Sequence, residues 1–395
     1  MPWKEVKPME QKILFIADYL RGRGSFTELC KSYGISRRIG YKWIKRYQDG
    51  GIDAMHERSR KPHESPQSTP YYICKEIVAV RTKGRTKPGP KKIQTILSTR
   101  HPGWTIPSKT TIYNIIRREG LVEKRKLRRR VPAEPRPFGP VRGPNDLWSA
   151  DFKGQFLTGN GTWCYPLTVM DHDSRYLLDC RALPGTALHS VREAFERLFR
   201  DYGLPLRIRT DNGVPFASHS VRGISHLSRW WIRLGILPER IEKGKPQQNG
   251  SHERMHRTLK DAALRPPART SALQQEVFDE FRNEYNEERP HEALDQKTPA
   301  SKYRPSLRRM PDQLPELEYP GHYRLATISS HGVMYCFGRL IYVGHVLTGE
   351  RVGLEEIKDG TWNVHFGPLL LGYVDLTEEK KNRHGYERLK CNPCP

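Results

Sequence analysis

The sequence predicts a multidomain chain: all-α helix-turn-helix units first, then an α/β core built on a mixed sheet, then a small C-terminal β-barrel. Three observations carry this prediction. Up to about residue 145 apolar residues recur only at helical spacing, at Leu147 strands begin to alternate with helices, and from Tyr323 the pattern shortens to brief alternating runs. With 395 residues the chain has room for about two to four domains with real cores. Charge divides at the same place. Residues 1–145 hold 33 basic and 12 acidic side chains, a net +21, whereas residues 146–395 hold 35 and 32, a net +3. A basic block with this much local structure implies nucleic acid as partner rather than a membrane surface. No apolar run approaches the roughly 20 residues that span a bilayer, and Met1-Pro2-Trp3-Lys4-Glu5 lacks a signal stretch, so a cytoplasmic address is expected. Seven scattered cysteines read as reduced thiols; Cys391-x-x-Cys394 is half a zinc site in a polar tail.

The first unit, residues 1–60, divides into three helices. Ile13, Leu14, Ile16, Ala17 and Leu20 mark the first, and Phe26, Leu29, Cys30 and Tyr33 the second, closed by Gly34. Ser36 caps a third over 37–48, which carries Arg37, Arg38, Lys42, Lys45 and Arg46. A plain three-helix core with a solvated basic face has the same periodicity, but a Gly turn followed by a basic helix describes a helix-turn-helix. After a Pro/Ser-rich connector a second unit, 61–127, repeats the theme with helices over 73–80 and 91–98. There Ser108 caps a helix running to Arg118, whose first turns expose Lys109, Thr110 and Tyr113 as a reading helix would. The run Lys124-Arg125-Lys126-Leu127-Arg128-Arg129-Arg130 leads into a Pro/Gly-rich linker, 128–145, suited to tracking phosphates.

The core, 146–310, predicts strands over 147–156, 163–170, 176–183 and 206–210, with helices over 188–202, 221–234, 248–264 and 273–287. Strands in 311–376 predict the barrel, and 377–395 read as a disordered tail. Three core acids stand in unusual contexts: Asp151 inside the first strand, Asp211 where the fourth strand ends at Thr210-Asp211-Asn212-Gly213, and Glu253 on a helix announced by Pro246-Gln247-Gln248-Asn249-Gly250. Strand interior, strand end and helix can converge on one sheet edge. Carboxylates so gathered repel unless cations lie between them, and hard oxygen ligands suit Mg²⁺ or Mn²⁺. Two ions are expected, supporting in-line phosphoryl transfer.

These residues carry a resemblance. Asp151-Phe152-Lys153, Thr210-Asp211-Asn212-Gly213-x-Pro215-Phe216 and Pro246-Gln247-x-Asn249-Gly250-x-x-Glu253-Arg254 resemble the three signatures of the integrase catalytic core shared by retroviral integrases and the DDE transposases of insertion sequences. Tyr285-Asn286-x-x-Arg289-Pro290-His291-x-x-Leu294 with Thr298-Pro299, and the upstream Gly34-Ile35-Ser36-Arg37-Arg38 and Trp43-Ile44-x-Arg46-Tyr47, are similar to the insertion-sequence branch. The resemblance implies an RNase H-like core with Asp151, Asp211 and Glu253 as its metal-binding catalytic triad. By position and strand pattern, it also implies an SH3-like C-terminal barrel. It further implies a transposase that binds double-stranded DNA at terminal inverted repeats and performs 3′-end cleavage and strand transfer, as a dimer or tetramer assembled on DNA in a bacterial nucleoid. The 41 residues between Asp211 and Glu253 exceed the usual gap and place extra residues in that segment.

Neighbouring groups have their own readings. Asp171 and Asp173 fit a polar hairpin turn, Trp230 and Trp231 a core, and Asp201 a helix end. His252 points about 100° away from Glu253 on a helix, toward DNA or solvent. Asn249 is expected to shape the start of that helix and meet DNA, and Lys243 and Lys245 to meet phosphates. Two rivals remain: a non-catalytic DNA-binding regulator derived from a transposase, and a structure-directed nuclease.

Overall fold

A computed structural model describes residues 8–57, 68–122, 139–242, 244–377 and 386–390. The chain forms two compact units, Met1–Ser68 and Thr69–Pro395. In the first, α1 (Pro8–Leu20), α2 (Phe26–Ser32) and α3 (Arg37–Gly50) bury Phe15, Ile16, Leu29, Cys30, Trp43 and Ile44 together. Ser36 caps α3 by accepting from the Ile39 amide, as its sequence position predicts, and Ser25, not singled out in the sequence, caps α2 by accepting from the Glu28 amide.

The second unit opens with another three-helix cluster, α4 (Tyr71–Thr82), α5 (Pro90–Arg100) and α6 (Lys109–Arg118), closed around Ile73, Ile77, Ile93, Leu97, Ile112 and Ile116. Strands β1 (Leu147–Phe152), β2 (Phe156–Leu157), β3 (Trp163–Asp171) and β4 (Leu177–Leu183) follow. After α7 (Leu188–Tyr202) come β5 (Arg207–Thr210), α8 (His226–Arg233) and β6 (Leu237–Arg240). The sheet runs β4–β3–β1–β5–β6, with β2 against the start of β3. β3 is antiparallel to β1 and β4, while β1, β5 and β6 are parallel. α7 and α8 cover one face through Phe195, Phe199, Trp230 and Trp231. α9 (Gly250–Ala263) and α10 (Ser271–Asn283) cover the other through Met255, Leu259, Phe278 and Phe281. A short α11 (Pro299–Lys302) follows.

Several expectations change. The single helix expected over 221–234 is a 3₁₀ turn, Val221–Gly223, and then α8, because Gly223 takes φ +63° and Ser225 starts a new helix with its own capping box. β6 was not expected; it is a short, half-buried edge strand whose apolar signal is weak. The helix expected to reach 287 ends at Asn283 and continues as a π turn, Glu284–Glu288.

The C-terminal barrel is also corrected. The described strands β7 (Arg324–Thr327), β10 (Arg351–Lys358), β11 (Thr361–Phe366) and β12 (Leu369–Asp375) form one sheet; β8 (Val333–Cys336), β9 (Arg339–Tyr342) and β13 (Glu387–Arg388) form another. The two share one core but meet at their edges only through the bridges Ile328–Met334 and Tyr373–Lys390, so no continuous ladder closes a barrel among the described residues. β13 also shows that the tail is not wholly disordered: its residues pair in parallel with Ile341 and Tyr342 of β9, and Leu389 is buried. Among the described residues no helix is long and apolar enough to cross a membrane.

Candidate active site and nucleic-acid surfaces

β1 lies mid-sheet, flanked by β3 and β5, and carries Asp151 in register with Thr168 of β3. β5 runs parallel beside β1 and ends one residue before Asp211, whose Oδ1 accepts the Gly213 amide at 3.0 Å. Glu253 is exposed in the first turn of α9, while Met255 and Leu259 pack that helix onto the sheet. The three acids are close enough to feel one another. Burial, and then the negative charges of Asp211 and Glu253, push Asp151 up to about 7, against the opposing pull of the Phe152 amide and Lys153.

Beneath Asp151 lies a buried histidine pair that the sequence did not reveal as such. The two rings meet edge to face, with centroids 4.6 Å apart. Thr168 Oγ1 lies 2.7 Å from both His252 Nε2 and His256 Nε2, and 2.9 Å from the Asp151 carbonyl. Ser149 Oγ is 2.8 Å from His252 Nδ1. One proton assignment satisfies most of these contacts. The Thr168 hydroxyl donates to the Asp151 carbonyl, both Nε2–H groups donate to Thr168, and Ser149 donates to His252 Nδ1. Both imidazoles are then neutral, as burial dictates: it pulls His252 down to about 3 and holds His256, helped by His252 and Lys153, well below the usual range. His256 Nδ1 is left facing Asp151 Oδ2 at 3.7 Å.

Asp151, His252 and His256 place possible ligand atoms within 4.8 Å of one another, a grouping that could hold a cation. Both His252 nitrogens are already occupied by hydroxyls, so the available donors are the carboxylate oxygens and His256 Nδ1. His252 was expected to face DNA or solvent, yet it is fully buried. On α9 it lies one turn from His256, and both rings face the Ser149 and Thr168 hydroxyls of the sheet. The missed signal was His-x-x-x-His, since residues four apart share a helix face.

Other predicted residues distribute unevenly. Arg37, Arg38, Lys42 and Lys45 are exposed on α3, while Arg46 is half-buried, its guanidinium 4.8 Å from the Trp43 ring centre. Ser36 and Ser108 spend their hydroxyls as caps. Lys109, Thr110 and Tyr113 are exposed along α6. Lys245 is paired with Glu242 at 2.8 Å, both side chains half exposed. Asn249 stands at the N-cap of α9, where the chain enters through a 3₁₀ turn, but it is only 4 % exposed and its side chain makes no capping hydrogen bond. Lys124, Arg125, Lys126, Arg128, Arg129, Arg130, Lys243, Cys391 and Cys394 lie outside the described residues. Asp171 is structural, its fully buried carboxylate accepting from the Asn145 and Ser174 amides and the Ser174 hydroxyl.

Two integrase core domain models match residues 141–246 and 234–299, a helix-turn-helix domain model matches 11–63, and a homeodomain-like model matches 39–116. The chain is 33% identical over 191 residues to an uncharacterized 31.7 kDa protein of insertion element IS407 from Burkholderia multivorans, covering 48% of this chain and 66% of that one. It is 31% identical over 180 residues to an uncharacterized 39.2 kDa protein of insertion element IS476 from Xanthomonas euvesicatoria, covering 45% and 50%. It thus spans between half and two thirds of the length of these relatives. Among solved structures, the HTLV-2 integrase catalytic core domain in complex with magnesium aligns at 18% identity and TM-score 0.32, covering 41% of this chain and 100% of that one.

Proposed function

Because this chain belongs with the insertion-sequence transposases that carry an integrase-like core, we propose that it binds the terminal inverted repeats of its element and catalyses 3′-end cleavage and strand transfer. The observation that carries this reading is electrostatic. Three carboxylates delivered by β1, the end of β5 and α9 stand close enough that the outer two raise the proton affinity of Asp151. Such a cluster is costly unless cations neutralise it, and its hard oxygens fit Mg²⁺ or Mn²⁺. Divalent cations held there would polarise an attacking oxygen and offset charge on a leaving one. Asp151, Asp211 and Glu253 would hold those cations, Asp151 being the acid whose charge is influenced by both of the others. α9 presents Glu253 from its first turn, and the sheet behind it fixes where that turn sits. Hydrolysis of a phosphodiester at the element end frees a 3′-OH, and that hydroxyl then attacks a target phosphodiester in line, forming a new ester as the P–O bond to the target's own 3′-oxygen breaks and that oxygen leaves as a hydroxyl, without a covalent protein intermediate. Exposed side chains on α3 and α6 supply the sequence reading. Both ends must be held for joining, which requires a dimer or tetramer assembled on DNA.

The test is cutting and joining of a duplex bearing the inverted repeats that bracket this reading frame. Asp151→Asn, Asp211→Asn and Glu253→Gln are each expected to lower both reactions by on the order of 10²–10³-fold or more, with end binding within a few-fold of wild type. Full strand transfer by any of them would overturn the assignment. Binding without any cutting by wild type in Mg²⁺ or Mn²⁺ would identify a regulator instead, and cutting regardless of end sequence a structure-directed nuclease.

A further inference from the structure

The second three-helix cluster meets the core along a row of acids. Glu280 on α10, Glu284 and Glu288 in the π turn, and Glu292 just beyond recur every fourth residue, and each takes a partner from that cluster. Arg85 Nε donates to Glu280 at 2.6 Å. The Glu284 carboxylate accepts three donors from the α4–α5 turn: the Arg85 amide at 2.6 Å, the Thr86 amide at 2.9 Å and the Thr86 hydroxyl. Arg100 pairs with Glu288 and Lys91 with Glu292, both at 2.8 Å. A Cβ added at Gly84 would sit 2.8 Å from Glu284 Oε1 and would push that carboxylate aside. The seam is crossed by ion pairs and borders a cleft of about 610 Å³ whose lining mixes charged and apolar side chains.

The ion pairs and hydrogen bonds of this row named above come from the α4–α5 turn and α5. The polar residues Lys109, Thr110, Tyr113 and Arg117 of α6 stay exposed. α6 is fixed to α4 and α5 by the isoleucine-rich core, so whatever orients those two helices orients α6. We infer that the Glu280–Glu284–Glu288–Glu292 row is a dock that holds this unit on the core, so that α6 reads double-stranded DNA at one set distance from Asp151. The inference rests on the transposase reading for its DNA and for the role of Asp151. Glu284 is then a positioning residue: it touches no substrate, and it sets where the cut falls relative to the bases that α6 reads.

The test has two arms on the full-length protein. Hydrogen exchange without DNA follows the Arg85 and Thr86 amides, expected to be slow in wild type and in a Glu287→Ala control, which leaves the row intact. They are expected to be at least tenfold faster in Glu284→Ala and in Gly84→Ala, which displaces the carboxylate without changing any charge. Arg100→Glu should loosen the seam and Glu288→Arg added to it should restore protection, which separates lost docking from lost folding. The second arm maps cleavage on inverted-repeat duplexes with one to five base pairs inserted between the bases protected by α6 and the cut. Wild type is expected to cut only at native spacing, whereas the dock variants bind the end within a few-fold and cut at several positions. Equal exchange in wild type and Glu284→Ala, or a single unchanged cut position in variants whose dock is open, overturns the inference. Absence of cutting by wild type defeats the transposase reading, and the exchange arm then decides the dock by itself.

Discussion

Thr168 carries one hydroxyl proton and faces three partners, the Asp151 carbonyl and two imidazole nitrogens. Thr168→Val keeps the shape and removes the only acceptor for two buried N–H groups, each of which costs about 1–3 kcal/mol when left unsatisfied. Urea unfolding should therefore show a loss on the order of 2–5 kcal/mol, and a loss under 0.5 kcal/mol would show that the histidines find other acceptors. Ser149→Ala should cost less, about 1 kcal/mol, because His252 Nδ1 then lacks a donor but exposes no orphaned N–H. The sequence singled out Asp151 and Asp211, since an acid inside an apolar strand or at a strand end is out of place and needs a reason, and Glu253 through the Pro246-Gln247-Gln248-Asn249-Gly250 run before its helix. It left His252 ambiguous because its meaning depends on what faces α9. Ser149 and Thr168 are ordinary strand residues until the sheet register sets their hydroxyls under that helix.

At the scale of elements, α3 depends on Gly40, where an added Cβ would lie 2.7 Å from Cys30 Sγ and 2.8 Å from the Phe26 ring. Gly40→Ala should destabilise the first unit by about 1–3 kcal/mol through overpacking where three helices meet. Thermal melting of a fragment covering residues 1–68 can check this, and an unchanged midpoint would mean that the helices separate without cost. α5 carries a different strain. Lys92 is lowered to about 7, first by burial and next by Arg289, while Glu292 pulls the other way; His291 faces the same cluster and is held near 3. An unfolded lysine keeps its proton to about pH 10, so between about 7 and 10 the unfolded chain binds more protons and stability rises with pH. Lys92→Met removes this penalty. It should exceed wild type in stability most at pH 7 and below, with the gap narrowing toward pH 10; a gap that stays constant from pH 6 to 10 would refute the assignment. Helix starts were legible where Ser36 and Ser108 write the cap into the sequence, whereas the Ser25 cap of α2 emerged only from the structure. The end of α10 was not legible, because its π turn answers to a tertiary contact: Asn286 exchanges two hydrogen bonds with the Leu177 backbone.

Across the whole of the second unit, charge joins what apolar patterning alone leaves apart. Glu350, only 4 % exposed, receives Arg229 at 2.6 Å and Arg233 at 3.1 Å from α8, tying the C-terminal sheets to the core beside the shared apolar contact of Ile232. Glu350→Ala would leave two guanidinium groups without their partner, and breaking a buried pair in this way costs about 3 kcal/mol. Calorimetry should show the C-terminal sheets melting earlier, and an unchanged profile would show that Ile232 and its neighbours suffice. By itself the sequence determined the order of helix-only, mixed and β segments, the basic N-terminal third, the caps and the three acids. Each of these is set by residues a few positions apart, where periodicity, capping and turn chemistry act. Tertiary structure decided the rest: the approach of Asp211 and Glu253 to Asp151, the histidines beneath it, the two sheets joined by single bridges, and the glutamate row that takes up the cations of the second cluster. Those depend on groups tens to hundreds of residues apart, whose Coulomb and hydrogen-bond energies are decided by distance and burial, and neither quantity exists until the chain has packed.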